Sequence, residues 1–355
     1  MRLKSPLLLG RWLFAIFLSV LLTVQVQAQR QQFELACIAF YNVENLFDTI
    51  NEPGKMDLDY TPEGSYLWDT EKYQDKLTKL ADVIAVLGTE MTPHGASVIG
   101  FAEVENRRVL EDLAAQPQLA DRNYGIVHYE SPDFRGIDNA LFYNPAHFEY
   151  LSSRALPFNM EREDGSMERT REVLLVTGKL HGELIHIMVN HWPSRRGGEE
   201  ATRHKRIHGA KVNRAIVDSL KSIDPMTKIV IMGDFNDDPV NQSMTKYLKA
   251  TGSVAKMQEE NMYNPFYEAF KKGLGTNAWR DSWSLFDQII VSYGLAKERG
   301  EGWRYYKAEI YNDRKMVQRT GRYAGYPFRS FVGGQYVGGY SDHFPVFIYL
   351  VRPTQ

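Results

Sequence analysis

Cysteine is almost missing from this chain. Cys37 is the only one in 355 residues, so no internal disulfide can form and the fold must be carried by its core. Cys37 falls within the apolar stretch Phe33 to Tyr41 and reads as a buried strand thiol. An excess of charge is missing too. Forty-two Lys and Arg against 44 Asp and Glu leave a net charge of −2, which excludes a surface coated in basic residues to hold nucleic acid nonspecifically. Repeats and low-complexity tracts are absent, and 43% hydrophobic with 24% charged residues are ordinary globular values. They exclude a disordered chain, a collagen and a polytopic membrane protein. The apolar run Trp12 to Val24 holds 13 residues, short of the about 20 that span a bilayer.

What is there begins with that run. Arg2, Lys4 and Arg11 precede it, and Val26-Gln27-Ala28 follows with small residues at the spacing a signal peptidase reads. The pattern predicts cleavage after Ala28, a secreted or periplasmic protein, and a single catalytic domain over 29–355; an uncleaved N-terminal anchor is the alternative. Residues 1–28 carry three basic and no acidic groups, so the exported chain keeps 39 basic against 44 acidic residues, or −5.

Tyr73, Leu77, Leu80, Ile84 and Leu87 recur at helical spacing and predict a helix over 68–88, with Asp69 or Thr70 as N-cap and Gly88 as stop. A second helix is expected over 199–222. Strands are expected at Leu35–Tyr41, Ser97–Ala102, Tyr124–Glu130, Asn139–Tyr143, Val173–Leu180, Ile185–Asn190, Lys228–Met232, Phe286–Val291 and Phe344–Leu350. So many strands with few helices between them suit two stacked sheets with helices outside.

The strand ends carry the chemistry. Four buried runs end in Asn42, in Glu103, in Asn190-His191 and in Asp234-Phe235-Asn236. Two more carry such groups at their start, at Asp287 and at Asp342-His343. If these two run antiparallel to the other four, all six groups meet at one sheet edge. Carboxylates crowded there repel unless a cation sits among them. Oxygen donors suit Mg2+, with Mn2+ or Ca2+ as substitutes, and no Cys/His cluster calls for zinc.

Six segments in order, Phe40-Tyr41-Asn42-Val43-Glu44-Asn45, Gly100 to Asn106, Asn190 to Arg195, Gly233-Asp234-Phe235-Asn236, Phe286-Asp287-Gln288-Ile289 and Ser341 to Val346, resemble the endonuclease/exonuclease/phosphatase superfamily of metal-dependent phosphoesterases. The resemblance implies an α/β fold, a four-layer α/β/β/α sandwich of two mixed, mostly antiparallel sheets. It implies Asn42, Glu103 and Asp342 around a metal, and Asp234 and Asn236 activating the water and holding the phosphate. It implies His343 on the scissile phosphate, oriented by Asp287, and His191 stabilising the phosphorane or protonating the leaving oxygen. A His–Asp pair fixes the imidazole tautomer and raises its pKa, as that role requires. The sequence leaves open which histidine is acid or base, and whether one or two metals act.

Arg195 and Arg196, with Arg203 and Arg206 beyond them, are placed to grip phosphates beside the scissile one, a solvated helix face being the alternative. Lys315 to Gln335 holds no acidic residue and interleaves arginines with Tyr323, Tyr326 and Phe328. It reads as an aromatic loop walling the cleft, with base stacking as the second reading. The acidic loop Glu52 to Tyr66 reads as plain surface, a structural Ca2+ being the alternative. The reading that results is an exported metal-dependent phosphodiesterase, most simply a monomeric nuclease with a nucleic-acid or other phosphodiester substrate and no stable membrane anchor. A phosphomonoesterase or sphingomyelinase-like phospholipase is the alternative, although no exposed apolar hairpin is evident for the latter. A noncatalytic binding module is a third.

Overall fold

The computed structural model describes residues 32–162 and 165–354; the leader expected at 1–28 lies outside them. In chain order the strands are β1 (Phe33–Leu46), β2 (Val98–Val104), β3 (Gly125–His128), β4 (Asp138–Tyr143), β5 (Phe148–Leu156), β6 (Val173–Leu180), β7 (Glu183–His191), β8 (Ile229–Asp234) and β9 (Ala250–Thr251). They continue with β10 (Met262–Tyr263), β11 (Asn277–Trp279), β12 (Ser282–Ser284), β13 (Asp287–Ser292), β14 (Arg304–Ile310), β15 (Phe331–Val332), β16 (Gln335–Tyr336) and β17 (Val346–Pro353). The main helices are α1 (Thr70–Ile84), α2 (Arg107–Ala114) and α3 (Glu199–Lys221).

One sheet runs β14-β17-β1-β2-β4-β3 and the other β5-β6-β7-β8-β13-β10-β9. Both are mixed. Along β1, residues alternate between two cores as the pleat requires. Ile38 and Phe40 face the second sheet and pack with Val189, Val230, Met232 and Ile289. Cys37, Ala39 and Tyr41 face outward and pack under Leu77, Leu80 and Ile84 of α1 and Leu110 and Leu113 of α2. A third core lies between the second sheet and α3, where Ala210 and Val217 meet Met188, Ile229 and Ile231. The layers are therefore helix, sheet, sheet, helix. Each large apolar side chain so buried contributes about 1.5–3 kcal/mol, and Cys37 is buried as expected. Asp69 caps α1 by accepting the Lys72 N–H at 3.0 Å, and Gly88 follows in the left-handed region, a position suited to glycine after a helix.

The topology decides the site. β1 and β2 are parallel, as are β7 and β8. β17 is antiparallel to β1, and β13 is antiparallel to β8. The carboxyl ends of four strands and the start of β13 and the approach to β17 thus share one edge. Gly233 brings β8 close to β7 just before Asp234: a Cβ there would lie 2.2 Å from the Asn190 carbonyl oxygen. Among the described residues no helix is long and apolar enough to cross a membrane.

Candidate active site

Asp234 sits at the centre. It is buried at the end of β8, in register with His191 on one side and Asp287 on the other. Its Oδ1 accepts the Asn236 N–H at 2.9 Å, and its Oδ2 accepts from Asn42 Nδ2 at 3.1 Å. Burial, with Asp287 and Glu103 close by, pushes its carboxyl pKa up. Two imidazoles face the same Oδ2, His191 through Nε2 at 3.7 Å and His343 through Nε2 at 3.9 Å.

Their environments differ in sign. His343 Nδ1 is hydrogen-bonded to Asp287 Oδ2 at 2.7 Å. Burial alone would lower this imidazole, but Asp287, Asp342 and Asp234 outweigh it and hold the pKa well above the usual range. His191 has no such partner. Burial, then the Arg171 and Arg135 guanidiniums, hold it well below. Its Nδ1 is buried without a hydrogen-bond partner, and its contacts to Asp234 and to Glu103 Oε1, at 3.8 Å, are too long for hydrogen bonds.

Four residues at this edge, Glu44, Asn45, Glu103 and Asn236, have φ between 50° and 66°. Non-glycine residues held there cost about 1–3 kcal/mol each, and such strain clusters at functional sites. Glu103 is fixed by the Asn45 N–H on Oε2 (3.0 Å) and by Asn42 Nδ2 on Oε1 (3.3 Å).

Every one of the eight expected catalytic and metal residues reaches this edge, but several do something other than expected there. Asn42 turns its amide nitrogen, not its oxygen, toward Glu103 and Asp234, because Oδ1 accepts the Glu44 N–H at 3.0 Å. It tethers two carboxylates. Asn236 Nδ2 donates to the Trp192 carbonyl at 3.1 Å and so braces the end of β8 against that of β7. Asp342 pairs with Arg329 at 2.5 Å. Arg195 departs furthest. Its guanidinium is spent on the Asn236 carbonyl (2.9 Å), Glu199 (3.0 Å), Asp237 (3.2 Å) and Asp238 (3.1 Å), and it lies on the Phe286 ring. It knits three strand ends together and is not available as a phosphate clamp. Arg206 is likewise buried against Asp237 at 2.7 Å, and Arg203 pairs with Glu200. Arg196 alone of that segment is exposed and makes no ion pair among the described residues.

Sequence reading missed Glu44, buried beside Asp342 and Lys76, whose carboxyl is pushed up chiefly by burial. It missed Arg171, which holds the Trp192 carbonyl at 2.9 Å and Asp133 at 2.9 Å. Glu44 stands within a quoted motif, where a polar residue two past Asn42 was the available signal; Arg171 had none. An exposed aromatic hairpin, β11–β12, also exists where none was evident, with Trp279 66% exposed. In the acidic loop, Asp57 is buried and accepts the Glu52 N–H at 2.6 Å.

The donor set fits a hard divalent cation. Carboxylate oxygens come from Glu103, Asp234, Asp287 and Asp342, and Asp287 Oδ1 is buried without a partner. Asp234, Asp287 and His343 lie with ligand atoms within 4.8 Å of one another, but the bond to Asp287 commits His343 to donation rather than ligation. A second such group, His128, Glu130 and Asp138, closes on itself: His128 is bonded to Asp138 at 2.9 Å, and Asp138 also accepts the Ser131 N–H.

A two-sheet sandwich with this edge is the architecture of phosphate-ester hydrolases. Residues 37–352 match the Endonuclease/Exonuclease/phosphatase family, and the chain belongs to it. Solved structures share the fold. D. rerio TDP2 complexed with a single-strand DNA product is 13% identical with a TM-score of 0.53, over 89% of this chain and 99% of that one. A Bacteroides thetaiotaomicron mannosyl-6-phosphatase is 17% identical with a TM-score of 0.52, over 89% and 99%. The human Nocturnin catalytic domain with bound sulfate is 14% identical with a TM-score of 0.52, over 92% and 98%. No curated protein matches. The family's named activities all hydrolyse phosphate esters, and the enzyme is a hydrolase of that class.

Proposed function

We propose that the protein is an exported, divalent-metal-dependent phosphodiesterase that acts as a monomer by in-line attack of water, with nucleic acid as its substrate. The observation that carries the reading is the pair of imidazoles facing one carboxylate oxygen at 3.7 and 3.9 Å, one bonded through Nδ1 to Asp287 at 2.7 Å and the other with its Nδ1 buried without a partner. Two titratable groups driven apart in this way mark an acid and a base. His343, oriented by Asp287, brings a positive charge and an N–H donor to a phosphate oxygen. Neutral His191, across Asp234, accepts or relays a proton. Asp234, raised by burial, orients the attacking water. Bound between Glu103 and Asp342, Mg2+ or Mn2+ would supply neutralisation of charge developing on the phosphate oxygens.

Charge favours a diester. Five carboxyl groups, Glu44, Glu103, Asp234, Asp287 and Asp342, face the His343, Arg329 and Lys76 cations. One divalent cation brings that set to neutrality, which suits a monoanionic diester better than a dianionic monoester.

The test is hydrolysis of DNA, RNA, bis(p-nitrophenyl) phosphate and p-nitrophenyl phosphate with Mg2+, Mn2+ or Ca2+, each with and without EDTA. The expected result is metal-dependent diester cleavage that His343→Ala and Glu103→Ala abolish. Metal-independent turnover, turnover surviving both substitutions, or preference for the monoester would overturn the reading. Intact mass of the exported protein tests cleavage after Ala28.

A further inference from the structure

From Arg314 to Ser341 the chain has five cations and no acid. This segment faces the β11–β12 hairpin across a cavity of about 280 Å³, whose lining includes Trp279, Arg322, Tyr323, Tyr326, Arg329 and Asp342. Asp342 and Arg329 connect it directly to the catalytic edge. The walls are fixed in place. Tyr326 donates its O–H to Asp281 at 2.7 Å, Asn277 donates to the Asp342 carbonyl at 2.9 Å, and Trp283 stacks on Phe344 at 6.0 Å. Of the exposed aromatic rings here, Trp279, Trp283 and Tyr323, Trp283 is stacked on Phe344, and Trp279 and Tyr323 line the cavity. A guanidinium stands beside each: Arg280 lies 5.7 Å from the Trp279 ring and Arg322 lies 5.9 Å from the Tyr323 ring. Neither arginine makes an ion pair with an acid among the described residues.

We propose that this cavity is a nucleobase subsite. It takes the base of the nucleotide whose phosphate reaches His343, stacked on Trp279 or Tyr323, while Arg280 and Arg322 meet the next phosphate. The inference rests on the phosphodiesterase reading of the same edge. Aromatic faces interleaved with unpaired guanidiniums match a ligand that alternates π-faces with anions. A sugar phosphate has no aromatic ring to stack on these faces. A lipid surface fits less well, because the tip of the hairpin is Arg280-Asp281 and the aromatic residues stand on its flanks, facing a concave, cationic wall. The volume, near the lower end of about 300–1,000 Å³ for small-molecule sites, suits one monomer unit.

Binding of AMP and of ribose 5-phosphate to the full protein with Mg2+, followed by calorimetry and tryptophan fluorescence, tests the proposal. AMP should bind about tenfold more tightly than ribose 5-phosphate. Trp279→Ala and Tyr323→Ala should each remove much of that difference while leaving ribose 5-phosphate affinity in place. Both side chains are partly exposed, and circular dichroism verifies the fold of each variant. Equal affinity for the two ligands overturns the subsite, as does an AMP preference that survives both substitutions. Trp279-dependent binding to phosphatidylcholine vesicles with no AMP preference overturns it in favour of a membrane. Failure of the phosphodiesterase reading is separate: it appears as absence of diester turnover and does not enter the binding comparison.

Discussion

Replacing Arg195 by alanine separates a structural hub from a phosphate clamp. Among the described residues Arg195 is the only cation paired with Asp238, whose side chain is 12% exposed, and burial already pushes that carboxyl upward. Asp237 keeps Arg206 and the Ser243 hydroxyl after the change; Asp238 keeps the Leu285 N–H alone. Removing one partner of a buried ion pair costs about 3–5 kcal/mol. The residual exposure puts this site at about 3 kcal/mol, or a Tm fall of about 6 °C at roughly 2 °C per kcal/mol for a chain of this size. The bond to the Asn236 carbonyl is also lost, so the turn carrying Asp234 and Asn236 loosens. The expected kinetics are a kcat fall of about tenfold or more with KM changed far less, since a misplaced catalytic group weakens the transition state before the ground state. Arg195→Lys restores a point charge without the planar fork and should recover part of the Tm. Denaturation curves and initial-rate kinetics on a diester read both effects. A KM raised tenfold with Tm and kcat unchanged would refute the hub and reinstate the clamp.

Three further outcomes follow from the same geometry. Asp287→Asn removes a charge-assisted hydrogen bond worth about 1.5–3 kcal/mol, or about 1–2 pKa units on His343. Because the raised imidazole is protonated below its folded pKa, activity that needs the imidazolium is lost as pH rises through that value, and the alkaline limb of kcat/KM should move down by about 1–2 units; an unmoved limb counts against the dyad. At the opposite end of the sheets, burial and its neighbours lower His147 to about 4, stacked on His94 at 3.7 Å and bonded to His181 at 3.2 Å. A depressed histidine stabilises above the unfolded value near 6.5 and loses that contribution as pH falls toward 4. Discounted for exposure the loss is about 1.5 kcal/mol, so Tm should drop on going from pH 7 to pH 5, and by less in His147→Gln; equal drops sink the account. Mg2+ or Mn2+ at about 100 times its Kd should stabilise by about 2.7 kcal/mol, read as a Tm rise that EDTA reverses and Glu103→Gln abolishes; a rise that persists in the variant puts the metal elsewhere.

Residue types were legible in the sequence where a hydrophobic run met a polar end, and their convergence was legible because strand direction follows from which end carries the group. By that logic the sequence alone brings Asp234, Asp287 and His343 to one edge. Two edge strands left no such pattern. β5 exposes most of its residues and β14 is half polar, so period-two alternation fades where one face has no core to cover. The β11–β12 hairpin was hidden for a different reason: its turn residues, Arg280 and Asp281, take positive φ, where Asn-Gly or Asp-Gly would have announced the turn.

Partners were the least legible of all. Arg195 and Arg196 are neighbours in one basic segment, and nothing in their local sequence says that the first turns inward onto Asp237 and Asp238 while the second stays in solvent. That choice depends on the 236–241 turn folding back beneath residue 195, a nonlocal event. The same holds for Asp342, whose partner Arg329 lies 13 residues away across the β15–β16 hairpin. It bears on function directly. A basic cluster beside a catalytic motif invites assignment to the substrate, yet here much of its charge is consumed in holding the motif itself. Among the described residues, the cations of these segments with no acidic partner include Arg196, Arg280, Arg319 and Arg322. Arg280 and Arg322 stand beside open aromatic rings, and this, more than the count of arginines near the site, is why the substrate reading turns toward a nucleotide.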